Sequence, residues 1–123
     1  MDPSYRSTFP AKAKETLVPQ TIRQYWLGLH GRVRLNFNWN IINHDSVVLV
    51  SAAEYSLNPG DPRHSARFVG AADVTVSNIS PHSPPYDPNH GVTFIVNVAW
   101  PHPIDIVTDI TVLDRLPEWT GVQ

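Results

Sequence analysis

The stretch that decides the fold is Arg-Val-Arg-Leu-Asn-Phe-Asn-Trp-Asn-Ile, residues 32–41. Apolar and polar side chains alternate through it without a break. Successive side chains of a strand point to opposite faces of a sheet, whereas a helix would scatter both sets around its circumference. The stretch therefore predicts a β-strand whose wet face presents two arginines and three asparagines. That row is interpreted either as a binding surface or as an ordinary soluble sheet face.

Five further segments predict strands around this one. They are residues 21–29, 46–53, 67–78, 92–100 and 104–113. In the first, Ile22 and Trp26 are assigned to one face and Leu29 to the other. The continuous apolar run Val47–Val50 predicts a strand covered on both sides. Residues 70–72, Gly-Ala-Ala, predict a bulge or a bend within the fourth segment.

The last two strands have the clearest two-residue period. One aligns the apolar residues Val92, Phe94, Val96, Val98 and Trp100, and the other aligns Ile106, Thr108, Ile110 and Val112. Residues 81–91, between the predicted strands 67–78 and 92–100, hold four prolines, so no strand is expected to run through them. The predicted fold is all-β: an antiparallel six-stranded β-sandwich with an extended N-terminal arm, a small barrel being the alternative.

The domain organisation follows from the same reading. Residues 1–20 are a proline-containing arm, 21–113 the β-sandwich and 114–123 a C-terminal tail. A chain of 123 residues suits one such domain. The arm carries Tyr5 and Phe9, which we expect to be ordered against a neighbouring subunit.

Composition limits the classes of partner. The net charge of −2 and the pI near 6.3 argue against binding of duplex nucleic acid. No apolar run approaches the ~20 residues that a membrane helix requires, and the first residues do not resemble a secretory signal. We therefore expect a soluble protein that binds neither nucleic acid nor membrane and is either cytoplasmic or released, as in a virion. The compartment stays open.

Catalytic motifs are missing from the sequence. With no cysteine, disulfides and thiolate metal sites cannot form. The six histidines show no His-x-His pair, and five of them are assigned to exposed loops. No Gly-x-Ser-x-Gly elbow and no glycine-rich phosphate loop occurs. We expect no enzymatic activity, no cofactor and no metal, the alternative being a small enzyme with a metal site built from loop histidines.

Trp100 offers the most specific hint of a ligand. It ends a strand and is followed by Pro101-His102. An aromatic ring in that position can stack on the apolar face of a sugar while the neighbouring imidazole bonds its hydroxyls. The alternative is a core or interface tryptophan, since Trp100 shares the face of Val98 and Phe94.

From Ser46 onward the order of segments resembles that of the H-type lectins, the N-acetylgalactosamine-binding domains of snail agglutinins and of discoidin C-terminal regions. Three blocks carry the resemblance: residues 47–51, Val-Val-Leu-Val-Ser; residues 67–80, from Arg67 to Asn-Ile-Ser; and residues 91–100, from Gly-Val-Thr-Phe to Ala-Trp. It covers residues 46–113. The chain departs from the family by the insertion at 81–90, by lacking a tryptophan in the last strand and by lacking disulfides.

The resemblance implies a six-stranded sandwich that associates as a trimer and binds galactose- or N-acetylgalactosamine-type glycans in clefts between subunits. It assigns the sugar contacts to Arg67 (or Arg63), Trp100 and His102. We therefore expect a non-enzymatic, carbohydrate-binding homotrimer. The alternative is a structural or assembly protein, such as a virion, tail or shell component without a small ligand.

Overall fold

The structure is a computed structural model that describes residues 19–56, 60–61, 65–115 and 120–121. All regular elements in these ranges are β-strands. Tyr5 and Phe9 of the predicted arm, and Arg63 of the predicted site, lie outside the described residues. No helix in the described ranges is long and apolar enough to cross a membrane.

Seven strands form two antiparallel sheets. They are β1 Gln20–Leu29, β2 Gly31–Asn38, β3 Ser46–Ser56, β4 Ala66–Phe68, β5 Asp73–His82, β6 Gly91–Ala99 and β7 Ile104–Arg115. The four-stranded sheet has the order β1-β7-β3-β4, and the three-stranded sheet has the order β2-β6-β5. The prediction of an all-β, antiparallel fold is confirmed.

The described residues alone form seven strands, so the expected count of six is corrected. The segment predicted as one strand over 67–78 divides, so that β4 pairs with β3 in one sheet and β5 pairs with β6 in the other. The predicted bend at residues 70–72 is the place where the chain passes between the sheets. A Cβ atom at Gly70 would overlap the carboxylate of Glu54, so a larger residue at this crossing would displace that side chain.

The alternation that predicted β2 is confirmed through Asn38. Leu35 is buried and Val33 and Phe37 pack against the core, while the polar residues between them are exposed. The strand ends three residues earlier than predicted, because the chain turns at Trp39 and Ile42 N donates to Trp39 O at 3.0 Å.

The core lies where β6 and β7 face each other between the sheets. Its fully buried side chains include Val92, Phe94, Val96, Val98, Ile106, Ile110 and Val112, as the two-residue periods predicted. Trp26 of β1 meets Phe94 edge-on with 6.4 Å between ring centroids. The one buried hydroxyl at this contact, on Thr108, accepts from Trp26 Nε1 at 2.8 Å and is thereby satisfied.

Two predictions of strand environment are wrong. Leu49, in the run expected to be covered on both sides, is 54% exposed on the outer face of β3. Pro81 and His82 were placed in an irregular loop, yet they are the last residues of β5. Proline is tolerated in β5 because β5 is an edge strand, in which one side of the backbone has no ladder partner.

Candidate functional site

The β6–β7 turn, residues 100–103, carries two of the predicted ligand contacts. It begins with a hydrogen bond in which Trp100 N donates to Val98 O at 2.9 Å. The Trp100 side chain leaves the core face at this point and is 38% exposed. His102 and the prolines on either side of it are exposed as well. The indole and the imidazole are therefore both accessible at the end of the sandwich.

A bulge in β1 supports this turn from the side. The β1–β7 register shifts between Trp26 and Leu29, and Gly28 adopts a φ of +68° there. Gly28 N donates to Asp105 Oδ1 at 3.0 Å, and its Cβ position lies 3.8 Å from Pro103 Cβ. The bulge also brings Leu29 against the core, which corrects its predicted assignment to the opposite face. An inserted residue moves every later side chain to the other face.

Arg67 is not directed toward the turn. Its Nη1 donates to Ser51 Oγ at 2.9 Å and to Asp109 Oδ2 at 2.8 Å, on the outer face of the four-stranded sheet. Within the described residues no hydrogen bond or ion pair joins Arg67 to Trp100 or His102. The hydrogen bonds of Arg67 thus go to Ser51 and Asp109, while Trp100 and His102 both belong to the β6–β7 turn.

Asp109 is the acceptor at the centre of an ion-pair network that sequence reasoning missed. Arg23 Nε and Nη2 donate to its two carboxylate oxygens at 2.6 and 2.9 Å. The hydrogen bond from Arg23 is the main cause that lowers the pKa of Asp109, and the bond from Arg67 adds to it. No local sequence pattern predicts the Arg23–Asp109 pair, because these two residues become neighbours only through the register of β1 and β7.

The described histidines differ in their environments, and not all of them lie in exposed loops as the sequence suggested. His102, His44 and His30 are exposed, but His82 ends β5 instead of lying in a loop. His90 Nδ1 lies 2.8 Å from Ile42 O, and His82 Nδ1 lies 2.8 Å from Asn89 O. Both rings thus hold the chain together around residues 83–90. His64 lies outside the described residues.

His44 and Ser83 lie at hydrogen-bond distance, and their geometry is structural. His44 Nδ1 is 2.9 Å from Ser83 Oγ, which also accepts from His44 N at 2.8 Å. Ser83 is only 2% exposed, so its hydroxyl is closed to a substrate. The adjacent Asp45 carboxylate is bound by Arg115 at 2.7 Å. The pair therefore joins the β5–β6 loop to the β2–β3 turn, and no carboxylate among the described residues is hydrogen-bonded to His44 as the orienting member of a nucleophilic triad would be.

The residues that the structure describes contain no group of three or more histidine, aspartate or glutamate side chains arranged to hold a metal ion. No family model, curated protein or solved structure matches the chain. Functional inference therefore depends on the chemistry of the exposed surfaces.

Proposed function

We propose that the protein is a non-enzymatic carbohydrate-binding module that acts as an oligomer. The observation that carries the proposal is that the accessible Trp100 indole and the exposed His102 belong to one short turn. A sugar presents one apolar face that can stack on an indole, and its hydroxyls can bond an imidazole nitrogen. Because His102 stands between two prolines, the turn loses little conformational entropy when a ligand binds.

The oligomer supplies both avidity and the rest of the site. A single sugar site of this size is weak, and linking several raises the apparent affinity by roughly 10²–10⁴. In the trimer implied by the resemblance, Arg67 of one subunit approaches the β6–β7 turn of its neighbour. That contact would require Arg67 to exchange its bonds to Ser51 and Asp109 for bonds to sugar hydroxyls. Galactose- or N-acetylgalactosamine-type glycans are the ligands we expect.

A second candidate function is that of a structural or assembly protein. It is favoured by exposed apolar side chains on the four-stranded sheet and near its end, with Leu49 at 54%, Leu27 at 72% and Val69 at 101% exposure. In addition, β4 pairs with only residues 54–56 of β3, so within the described residues no strand covers that edge of β3 from 46 to 53. An open strand edge beside apolar side chains favours association with another chain.

A glycan array followed by calorimetric titration with the selected glycan tests the leading proposal. His102→Ala should weaken binding several-fold, as loss of one hydrogen bond costs ~1 kcal/mol. Trp100→Ala should weaken it at least as much by removing the stacking face. Tyr86→Ala is the matched control, because that ring is 78% exposed at the opposite end of the sandwich. If the array selects no glycan, the carbohydrate-binding proposal falls and the assembly function replaces it.

A further inference from the structure

The outer face of the three-stranded sheet carries mostly polar side chains, with the buried Ile95 and Gly91 among the positions of its central strand. Its rows follow from the registers of β2 with β6 and of β6 with β5. The rows are Arg32–Asn97–Thr75, Arg34–Ile95–Ser77, Asn36–Thr93–Ser80 and Asn38–Gly91–His82. We call these positions the polar grid. It lies on a different sheet from the Arg23–Asp109 network.

The grid contains two arginines without an ionic partner. Arg32 and Arg34 are exposed, and neither forms an ion pair or hydrogen bond with any other residue that the structure describes. The three remaining described arginines, Arg23, Arg67 and Arg115, are each paired with an aspartate. Two adjacent outward positions of β2 thus hold unpaired guanidinium groups roughly 7 Å apart along the strand.

One end of the grid is fixed by hydrogen bonds. Asn36 Oδ1 accepts from Thr93 Oγ1 at 2.9 Å and lies 2.7 Å from His82 Nε2. Asn36 Nδ2 donates to Asn38 Oδ1 at 2.9 Å. These bonds hold neighbouring side chains in place and leave the arginine end as the part with free donors. Backbone pairing to β6 fixes the spacing of the Cα atoms of these two arginines.

Among the residues that the structure describes, the carboxylates near the grid lie at its borders. Asp73 is in register with Ala99, one row beyond Arg32. Asp87 lies at the other end, with Oδ1 3.6 Å from His82 Nδ1. None of the four rows contains an acidic residue, so the local charge is positive although the whole chain carries −2.

We infer that the polar grid binds an acidic polysaccharide whose sugar units carry carboxylate or sulfate groups. The planar fork of each arginine matches the paired oxygens of such a group. The amides and hydroxyls of Asn97, Thr75 and Ser77 can bond sugar hydroxyls between the charged groups. This surface is separate from the β6–β7 turn, and the inference stands whether or not Trp100 and His102 bind a sugar.

Charge density and side-chain type favour a polysaccharide over nucleic acid. Single-stranded nucleic acid is held by aromatic rings that stack on its bases, and the grid has no aromatic ring except the imidazole of His82, which is already bonded to Asn36. Nucleic-acid surfaces also carry many cations along the phosphate backbone, whereas the grid has two arginines.

The test measures binding of the full chain to four probes: heparin, polygalacturonate, neutral dextran and a single-stranded oligonucleotide. Polygalacturonate carries carboxylate alone, whereas heparin carries sulfate as well as carboxylate, so binding to heparin without binding to polygalacturonate identifies sulfate as the recognised group. Arg32→Gln combined with Arg34→Gln should lower affinity for the acidic glycan about tenfold per guanidinium removed. The affinity of the Arg32→Lys, Arg34→Lys double variant should lie between that of the glutamine double variant and that of wild type. Lysine retains the charge but lacks the planar, forked donors of the guanidinium group.

Arg23→Gln combined with Arg115→Gln is the matched control, since it removes the same charge from the other sheet. Retained affinity in this control and in His102→Ala supports the inference and separates it from the proposed sugar site. Binding to either acidic glycan above dextran supports it and identifies the charged group. It is overturned if wild type binds neither acidic glycan, if the oligonucleotide binds as tightly as the glycans, or if the control loses equal affinity.

Discussion

Arg23 and Asp109 face each other across β1 and β7, with Arg23 Nε 2.6 Å from Asp109 Oδ1. Asp109 also lies opposite Ser51 of β3, and Arg67 of β4 donates to both of them. One row of side chains therefore links all four strands of the sheet. This row occupies the outer face on which Leu49 is also exposed.

The first prediction concerns acid stability. In the folded state the pKa of Asp109 lies below its ordinary value of 3.8, chiefly because of the hydrogen bond from Arg23. The charged carboxylate therefore stabilises the fold above about pH 4, and this contribution is lost as the pH falls through 3.8 toward the lower folded value. Asp109→Asn should cost about 1 kcal/mol at pH 7, since the pair is partly exposed. The difference from wild type should shrink below pH 4 in urea titrations.

Asp73→Asn serves as the control for that series, because Asp73 forms no ion pair with any described residue. Some acid sensitivity should remain in Asp109→Asn, since the hydrogen bond from Arg115 likewise lowers the pKa of Asp45. A constant difference between Asp109→Asn and wild type from pH 7 to pH 3 would contradict the assigned linkage.

The second prediction concerns the bulge beside the β6–β7 turn. Gly28 has a φ of +68°, a conformation that costs other residues about 1–2 kcal/mol. Gly28→Ala should therefore lower the free energy of unfolding by about that amount, although its Cβ would meet only ordinary contact with Pro103. Gly28→Asn should cost less, because asparagine tolerates the left-handed region. Equal losses from both variants in chemical denaturation would show that bulk, not backbone conformation, decides the cost.

The sequence predicted the core faces of β2, β6 and β7 because apolar residues recur at every second position of each, although Ile95 and Val107 on the opposite faces are buried as well. It did not predict the sheet crossing at residues 70–72, since a local pattern there fits a bend within one strand as well as a passage between two sheets. The Arg23–Asp109 pair depends on the register of strands far apart in the chain. Trp100 and His102 are two residues apart, so the sequence alone could assign them to one turn. The orientation of Arg67 could not be predicted, because it depends on a hydrogen bond to Asp109 in another strand.

The third prediction concerns the β5–β6 loop, residues 83–90. The loop is tied to the β2–β3 turn, because Trp39 N donates to His90 O at 2.9 Å and the buried Ser83 accepts from His44 N. Ser83→Ala should cost about 1–3 kcal/mol by leaving His44 N without its partner. Ser77→Ala, at an exposed position, should change stability by less than about 0.5 kcal/mol. Equal melting temperatures for both variants would refute this role of Ser83.

The fourth prediction compares two residues of β6. Phe94 is 1% exposed, so Phe94→Ala should cost about 3–5 kcal/mol by removing buried contacts and leaving a cavity. Asn97 points outward from the same strand, and Asn97→Ala should cost less than about 0.5 kcal/mol. Guanidinium denaturation would measure both. Comparable losses would mean that the core does not lie on the assigned face of β6.

The last prediction concerns association through the four-stranded sheet. Leu49 is 54% exposed and lies beside the edge of β3 that β4 leaves uncovered. If this surface joins subunits, Leu49→Asp should shift sedimentation equilibrium toward the 13.8 kDa monomer, since it buries an unpaired charge in the interface. Thr75→Asp introduces the same charge on the other sheet and should leave the mass unchanged. A trimer is the wild-type state we expect at micromolar concentration. If wild type is a monomer, neither avidity nor a site completed by Arg67 of a neighbouring subunit is possible. If wild type is an oligomer whose mass does not change in Leu49→Asp, the interface does not include Leu49.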